Sequence, residues 1–192
     1  AGDHTMAIIG LDLKTKGLLA HNTIVATVMS NMGFDEMARN NGLNIIKAPV
    51  GDRYVLEKML EGGYVLGGEQ SGHIIMTMHN TTGDGLITAL KLLSVLKESG
   101  KPLSELNTIM KDYPQVLRNA RVSNDRKYSY REDPVIAEHC ARLEEAFHGE
   151  GRVLIRPSGT EPLVRVMIEG KDQDYITRKA EELVKIIEER LG

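Results

Sequence analysis

The chain has 192 residues, room for one large domain or two small ones, and its 41% hydrophobic and 27% charged composition is that of a globular protein able to bury a core. A formal net charge of -3 gives no basic footprint for nucleic acid, and an aromatic content of 4% without tryptophan offers few stacking platforms for single strands. No apolar run approaches the ~18 residues of a membrane span, and Ala1-Gly2-Asp3 does not open a charged-then-apolar signal pattern. The expected location is therefore cytoplasmic. Cys140 is the only cysteine, which excludes an internal disulfide and a cysteine-based metal cage.

Asp3 is placed to cap a helix carrying Met6, Ile9 and Leu13 at near-helical spacing, which Lys16-Gly17 ends. Thr23 to Met29 is a β-rich run, Ser30 a cap for a helix from Asn31 to about Asn40, and Leu43 to Ala48 a second strand. Pro49-Val50-Gly51-Asp52-Arg53 follows as a loop, then a short helix from Tyr54 to Glu61 and a third strand from Tyr64 to Leu66. Strands alternating with helices predict a mostly parallel sheet whose ligands collect at the carboxyl ends of its strands. Both Gly51-Asp52-Arg53 and the loop after Leu66 fall at such ends.

That second loop reads Gly67-Gly68-Glu69-Gln70-Ser71-Gly72-His73. Its glycines let backbone approach a ligand, while Glu69, Ser71 and His73 present a carboxylate, a hydroxyl and an imidazole. A carboxylate accepts from two neighbouring sugar hydroxyls, so the loop suits a carbohydrate; a polar bend between buried strands is the other reading. Glu69 and His73 lack metal-ligand spacing. Asn80-Thr81-Thr82-Gly83-Asp84-Gly85 holds one carboxylate, too few for a hard cation. It reads instead as the start of a helix capped by Thr82 or Asp84, with Leu86, Leu90, Leu93 and Leu96 on its apolar face. Ser104 to Lys111 is a further helix, and Tyr113-Pro114 marks the domain boundary.

Beyond it, Gln115 to Val122 is a strand and the Lys/Arg-rich stretch Asn124 to Glu132 a solvated loop. Asp133-Pro134 starts a helix on which Ile136, Cys140, Leu143 and Phe147 share a face, so Cys140 is core rather than nucleophile. A final helix from about Gln173 to Arg190 carries Ile176, Ala180, Leu183, Ile187 and Leu191 on one side. The expected architecture is α/β: a mixed, mostly parallel α/β/α sandwich over residues 1–112, then a small α+β domain, 113–192, with an antiparallel sheet and helices on one face.

Between those last two helices, Arg152 to Ile155 and Leu163 to Glu169 read as strands joined by Arg156-Pro157-Ser158-Gly159-Thr160-Glu161-Pro162. Two prolines restrict the turn while Gly159 frees it, so successive N–H groups are able to line one concavity suited to an anion. Ser158 and Thr160 add hydroxyls, Arg156 stands at the mouth, and Arg165 returns from the second strand with a fork that fits phosphate oxygens. Charge-assisted bonds contribute roughly 1.5–3 kcal/mol each, so three or four hold a phosphate monoester in water. The plain alternative is a hairpin with two exposed arginines.

With both loops in view, the sequence resembles the C-terminal part of an α-D-phosphohexomutase. Gly68-Glu69-Gln70-Ser71-Gly72-His73 is similar to that family's sugar-recognition loop, and Arg156 to Pro162 to its phosphate loop. Ala48 to Arg53 and Asn80 to Gly85 also resemble family segments. Within the family the likeness is greatest to bacterial members that interconvert glucosamine 6-phosphate and glucosamine 1-phosphate through a bisphosphorylated sugar. The family has four domains, and this chain resembles the third and fourth. The resemblance implies that a phosphoserine and an Asp-rich Mg²⁺ loop lie in the first two, so the chain carries no catalytic residue or metal site and is expected to be an inactive fragment. It further implies Glu69 and Ser71 for sugar hydroxyls, with His73, Gly51 and Arg53 as further candidate contacts. Arg156, Ser158, Gly159, Thr160 and Arg165 are implied for the phosphate that is not transferred. The expected partners are a hexosamine phosphate and the N-terminal domains. Alternatives are a fragment of a phosphomannomutase or phosphoglucomutase, or a non-catalytic phosphosugar-binding module.

Overall fold

The structure, a computed structural model, describes residues 2–192. The unit ending at Asp112 runs α1 (Gly2–Thr15), β1 (Thr23–Thr27), α2 (Met32–Asn40), β2 (Asn44–Ala48), α3 (Asp52–Gly62), β3 (Leu66–Gly68), β4 (Ile74–Met76), α4 (Gly85–Ser99) and α5 (Leu103–Leu106). The unit Tyr113–Gly192 runs β5 (Gln115–Arg121), α6 (Pro134–Phe147), β6 (Gly151–Pro157), β7 (Leu163–Gly170) and α7 (Gln173–Leu191).

The first sheet has the order β2-β1-β3-β4, with β1 parallel to both neighbours and β4 antiparallel to β3. Strand periodicity layers the unit. Ile24 and Ala26 of β1 join Ile74 and Met76 in a core with Met6, Ile9 and Leu13 of α1 and Phe34 and Met37 of α2. Val25 and Ile75 turn the other way, onto Val55 and Met59 of α3. The sheet is therefore covered on both faces, as a mixed α/β/α sandwich.

The third strand lies two residues later than its sequence suggests, because Gly67 and Gly68 belong to it. A Cβ on Gly67 would lie 2.6 Å from Met59 Sδ and 2.9 Å from Val55 Cγ1, and one on Gly68 would lie 3.1 Å from Met6 Sδ. These glycines let helices close on both faces of one strand; only the residues after them form the loop.

Four local readings are also corrected. Asp3 lies inside α1, and its carboxylate accepts from Asn31 N–H at 2.8 Å, so it braces the start of α2 instead of capping its own helix. Burial pushes the Asp3 carboxyl above the usual aspartate range, against the Asn31 and Ser30 hydrogen bonds that favour its charged form. The cap of α2 is Asn31, not Ser30, accepting from Gly33 N–H at 2.9 Å. The helix expected from Ser104 to Lys111 is a single α-turn followed by a 3₁₀ turn, Asn107–Ile109. Asp84 does cap α4, accepting from Leu86 and Ile87, yet the helix buries Thr88 and Val95 while Leu86, Leu90 and Leu93 are 72%, 59% and 59% exposed.

In the second unit β7 lies between β5 and β6, antiparallel to both. Val116, Ala120, Val164, Val166 and Ile168 pack against Ile136 and Leu143 of α6 and the whole Ile176–Leu191 stripe of α7. On the opposite side of β7, fully buried Glu169 accepts from Arg152 Nε at 2.6 Å and from Gln115 Nε2 at 3.1 Å. The 124–132 stretch is not simply solvated. Arg126 donates to the Arg190 carbonyl at 2.5 Å and the Gly192 carbonyl at 3.5 Å, capping the end of α7, and Tyr130 OH donates to the Ile155 carbonyl.

Cys140 packs against this core, and burial, with the Glu144 charge behind it, pushes its thiol up to about 11. The thiolate is the nucleophile, so a raised value leaves only about one part in a thousand ionised at pH 8. Reaction with a disulfide reagent is expected to be slow and to accelerate about tenfold per pH unit from 8 to 10. A rate that levels off above pH 9 would show an exposed thiol instead.

Candidate functional site

The loops that follow β2 and β3 meet at the carboxyl ends of the parallel strands. After β2, Gly51 caps α3 with φ 130, and its N–H donates to Glu69 Oε1 at 3.0 Å across to the loop after β3. That loop is closed by Glu69 N–H to the His73 carbonyl at 3.0 Å and Gly72 N–H to the Glu69 carbonyl at 2.9 Å. Gly2 N–H, at the start of α1, donates to the Gln70 carbonyl at 2.9 Å. Strand ends of this kind are where open α/β sheets bind ligands.

Within the loop, His73 Nδ1 lies 3.1 Å from Ser71 Oγ and 3.9 Å from Glu69 Oε2. The Glu69 side chain is 14% exposed and that of His73 64%, so one carboxylate oxygen is anchored by the Gly51 amide while the imidazole faces outward. The structure brings Gly51, Glu69, Ser71 and His73 together. Asp52 and Arg53 belong to the first turn of α3, not to a loop, and Arg53 pairs with Glu57 at 2.9 Å along its own helix. That hydrogen bond holds the exposed Arg53 guanidinium above its usual range. A glycine just before a predicted helix was the one signal for the Gly51–Glu69 contact.

A Cβ on Gly51 would lie 3.2 Å from Tyr54 Cδ2, at a φ that side-chain-bearing residues rarely adopt. Gly51→Ala is expected to cost roughly 1–3 kcal/mol in urea unfolding and to release the Glu69 carboxylate. An unchanged unfolding midpoint would count against this cap geometry.

In the second unit the turn joins β6 to β7 as expected. Ser158 N–H donates to the Leu163 carbonyl at 2.8 Å, and Leu163 N–H to the Glu161 carbonyl at 2.8 Å. Ser158 is buried, and its hydroxyl accepts from Glu161 N–H at 3.2 Å and faces Glu161 Oε2 at 3.5 Å. It therefore shapes the turn from within. Gly159 lies outside the left-handed region and has open space around its Cβ position, so the turn does not depend on glycine geometry there. Gly159 and Thr160 are exposed, and their N–H groups have no acceptor among the described residues.

Arg156 and Arg165 are direct cross-strand partners on β6 and β7. Like charges placed opposite each other are destabilising. Arg165 Nη2 reaches Glu161 Oε2 at 3.3 Å, whereas Arg156 has no carboxylate partner among the described residues, and the Nε of each is buried without an acceptor. Burial first, and the Arg165 charge second, lower the Arg156 guanidinium below its usual range. Two forks, one carboxylate and two free backbone donors form a cationic tip that an anion would complete.

No three His, Cys, Asp or Glu side chains are grouped to hold a metal ion among the described residues, and no helix is long and apolar enough to cross a membrane.

Residues 1–113 match the phosphoglucomutase/phosphomannomutase alpha/beta/alpha domain III, and residues 117–186 match the C-terminal domain of the same family. The phosphoglucosamine mutase of Ruminiclostridium cellulolyticum is 70% identical over 191 residues, a match covering 100% of this chain and 42% of that protein. That of Acetivibrio thermocellus is 69% identical over the same share of each. The N-acetylphosphoglucosamine mutase of Aspergillus fumigatus, solved with GlcNAc-6P and magnesium, has the same fold at a TM-score of 0.78 and 18% identity, over 97% of this chain and 46% of that one. The chain thus spans less than half the length of each.

Proposed function

Because the chain belongs to the phosphoglucomutase/phosphomannomutase family, we propose that it is the sugar- and phosphate-recognising half of a phosphoglucosamine mutase. The intact enzyme would act in the cytoplasm, interconverting glucosamine 6-phosphate and glucosamine 1-phosphate through a bisphosphorylated sugar. The observation that carries the reading is Arg156, facing Arg165 across the strands with no carboxylate of its own among the described residues. A phosphate dianion relieves that repulsion and accepts from both forks and from the Gly159 and Thr160 amides.

In this reading residues 1–112 recognise the sugar and 113–192 the phosphate. Glu69 accepts from ring hydroxyls with its orientation fixed by Gly51, and Ser71 adds a hydroxyl held by His73. The phosphate is the one not being transferred. A sugar that turns over between two half-reactions needs hydroxyl ligands that accept either orientation, and one anion site for whichever phosphate is distal. Positioning and electrostatics supply most of the catalysis in phosphoryl transfer, so such loops belong to the machinery although no bond forms to them. Magnesium would neutralise charge on the transferring phosphoryl group, but the described residues group no three carboxylate, histidine or cysteine side chains to hold it.

Titrating the chain with glucosamine 6-phosphate, with glucosamine and inorganic phosphate as controls, tests the reading by NMR. Amide shifts both in 68–73 and in 156–165, stronger with the phosphosugar than with either half, are expected. Response of neither segment would sink it. With the intact enzyme, faster turnover of mannose 6-phosphate than of glucosamine 6-phosphate would move the assignment to a phosphomannomutase.

A further inference from the structure

Among the described residues nothing packs over the outer face of α4. Leu86, Leu90 and Leu93 recur at i, i+4 and i+7, are 72%, 59% and 59% exposed, and have exposed Ala89 between them. An amphipathic helix normally turns such a stripe inward. Here it is held outward. Lys91, on the inner side, pairs with Asp12 of α1 at 2.7 Å, and Lys16, in the turn just after α1, pairs with Glu98 near the end of α4 at 2.6 Å. The Asp84 cap fixes the other end through Leu86 and Ile87 N–H, and Asp84 N–H is itself bonded to the Ile74 carbonyl at 3.2 Å. Rolling the helix to bury the leucines would break all of these while exposing Val95 and Thr88.

We propose that this stripe is an interdomain face, covered in the full-length enzyme by the domain that precedes the first unit of this chain. The proposal rests on the reading of the chain as part of a longer mutase. Two observations select that occupant. The first unit matches a domain numbered third, and the chain spans only 42% of its 70%-identical relative, so relatives carry more than enough additional chain to cover the stripe. The start of α1 also lies beside the start of α4. Gly2 N–H bonds to the Gln70 carbonyl, and a Cβ on Gly83 would lie 3.5 Å from His73 Cβ, so both helices begin against the 69–73 loop. A domain joined ahead of α1 is tethered at the Leu86 end of the stripe, which raises its effective concentration there without any further contact. Its complementary surface is apolar. An exposed stripe of large aliphatic side chains on a rigidly held helix marks an interaction surface, and domain interfaces within one chain are of a size that one helix face can anchor.

The test compares this chain with a full-length chimera in which it replaces the matching C-terminal part of the R. cellulolyticum relative. Hydroxyl-radical labelling is expected to oxidise Leu86, Leu90 and Leu93 in this chain and to lose that reactivity in the chimera. The double variant Leu90→Lys/Leu93→Lys should leave the melting temperature of this chain unchanged and lower that of the chimera. Equal labelling of the stripe in both proteins would overturn the proposal. So would sedimentation showing that this chain pairs with itself through the stripe and that the double variant disperses the pair, because the occupant would then be a second copy. Neither labelling nor sedimentation depends on phosphosugar binding, so failure here leaves the recognition reading standing, and failure of the titration leaves the interface standing.

Discussion

Arg156→Ala is expected to weaken binding of glucosamine 6-phosphate by about 10- to 100-fold, the value of one charge-assisted contact to phosphate. The unliganded chain should not suffer. Arg156 stands opposite Arg165, and burial already lowers its guanidinium, so removing it relieves both a desolvated charge and a cross-strand repulsion. Binding and stability should therefore move in opposite directions, which loss of fold alone cannot produce. Calorimetric titration beside thermal unfolding reads both. Arg53→Ala, removing an exposed side chain paired along α3, should change binding much less. Equal affinity of the parent and Arg156→Ala would reject the phosphate assignment.

Arg152→Ala is expected to have the largest effect on stability, about 3–5 kcal/mol in denaturant unfolding, because it removes the guanidinium paired at 2.6 Å with the fully buried Glu169 carboxylate. Gln115 remains as a neutral donor at 3.1 Å and does not replace the charge. Replacing both members of the pair by apolar residues of similar volume, as in Arg152→Met/Glu169→Leu, should cost far less. If the single and double variants unfold at the same denaturant concentration, the pair is not coupled as the geometry indicates.

The second unit was largely legible in the sequence. Asp133-Pro134 fixed the start of α6, and Ile176, Ala180, Leu183, Ile187 and Leu191 all reached the core, because a long regular helix on one sheet leaves only one way to bury its apolar side. The same rule failed at α4. Periodicity reports that a face is apolar but not what covers it, and ion pairs to Asp12 and Glu98 turned the leucines outward. Gly67 and Gly68 read as loop residues because glycine in sequence does not distinguish close approach by a ligand from close approach by a helix. The bracing role of Asp3 is hidden for a related reason, since its partner, Asn31, lies outside its own helix. The residue types of both candidate loops were visible, while the Gly51 anchor of Glu69, the displacement of Arg53 onto α3 and the inward turn of Ser158 depend on tertiary placement.

The bare stretch of β3 has a mechanical consequence. With no side chains at Gly67 and Gly68, the strand is gripped through its backbone, by Met59 and Val55 of α3 on one side, and α3 also holds the loop beyond it through Gly51 and Glu69. Helix and hairpin are joined at two points some distance apart, like a lever pinned at both ends. Local opening should then release them as one cooperative unit. The slowly exchanging amides of α3 and of 66–69 should show one common opening free energy in native-state hydrogen exchange, and Gly51→Ala should lower it for both segments together.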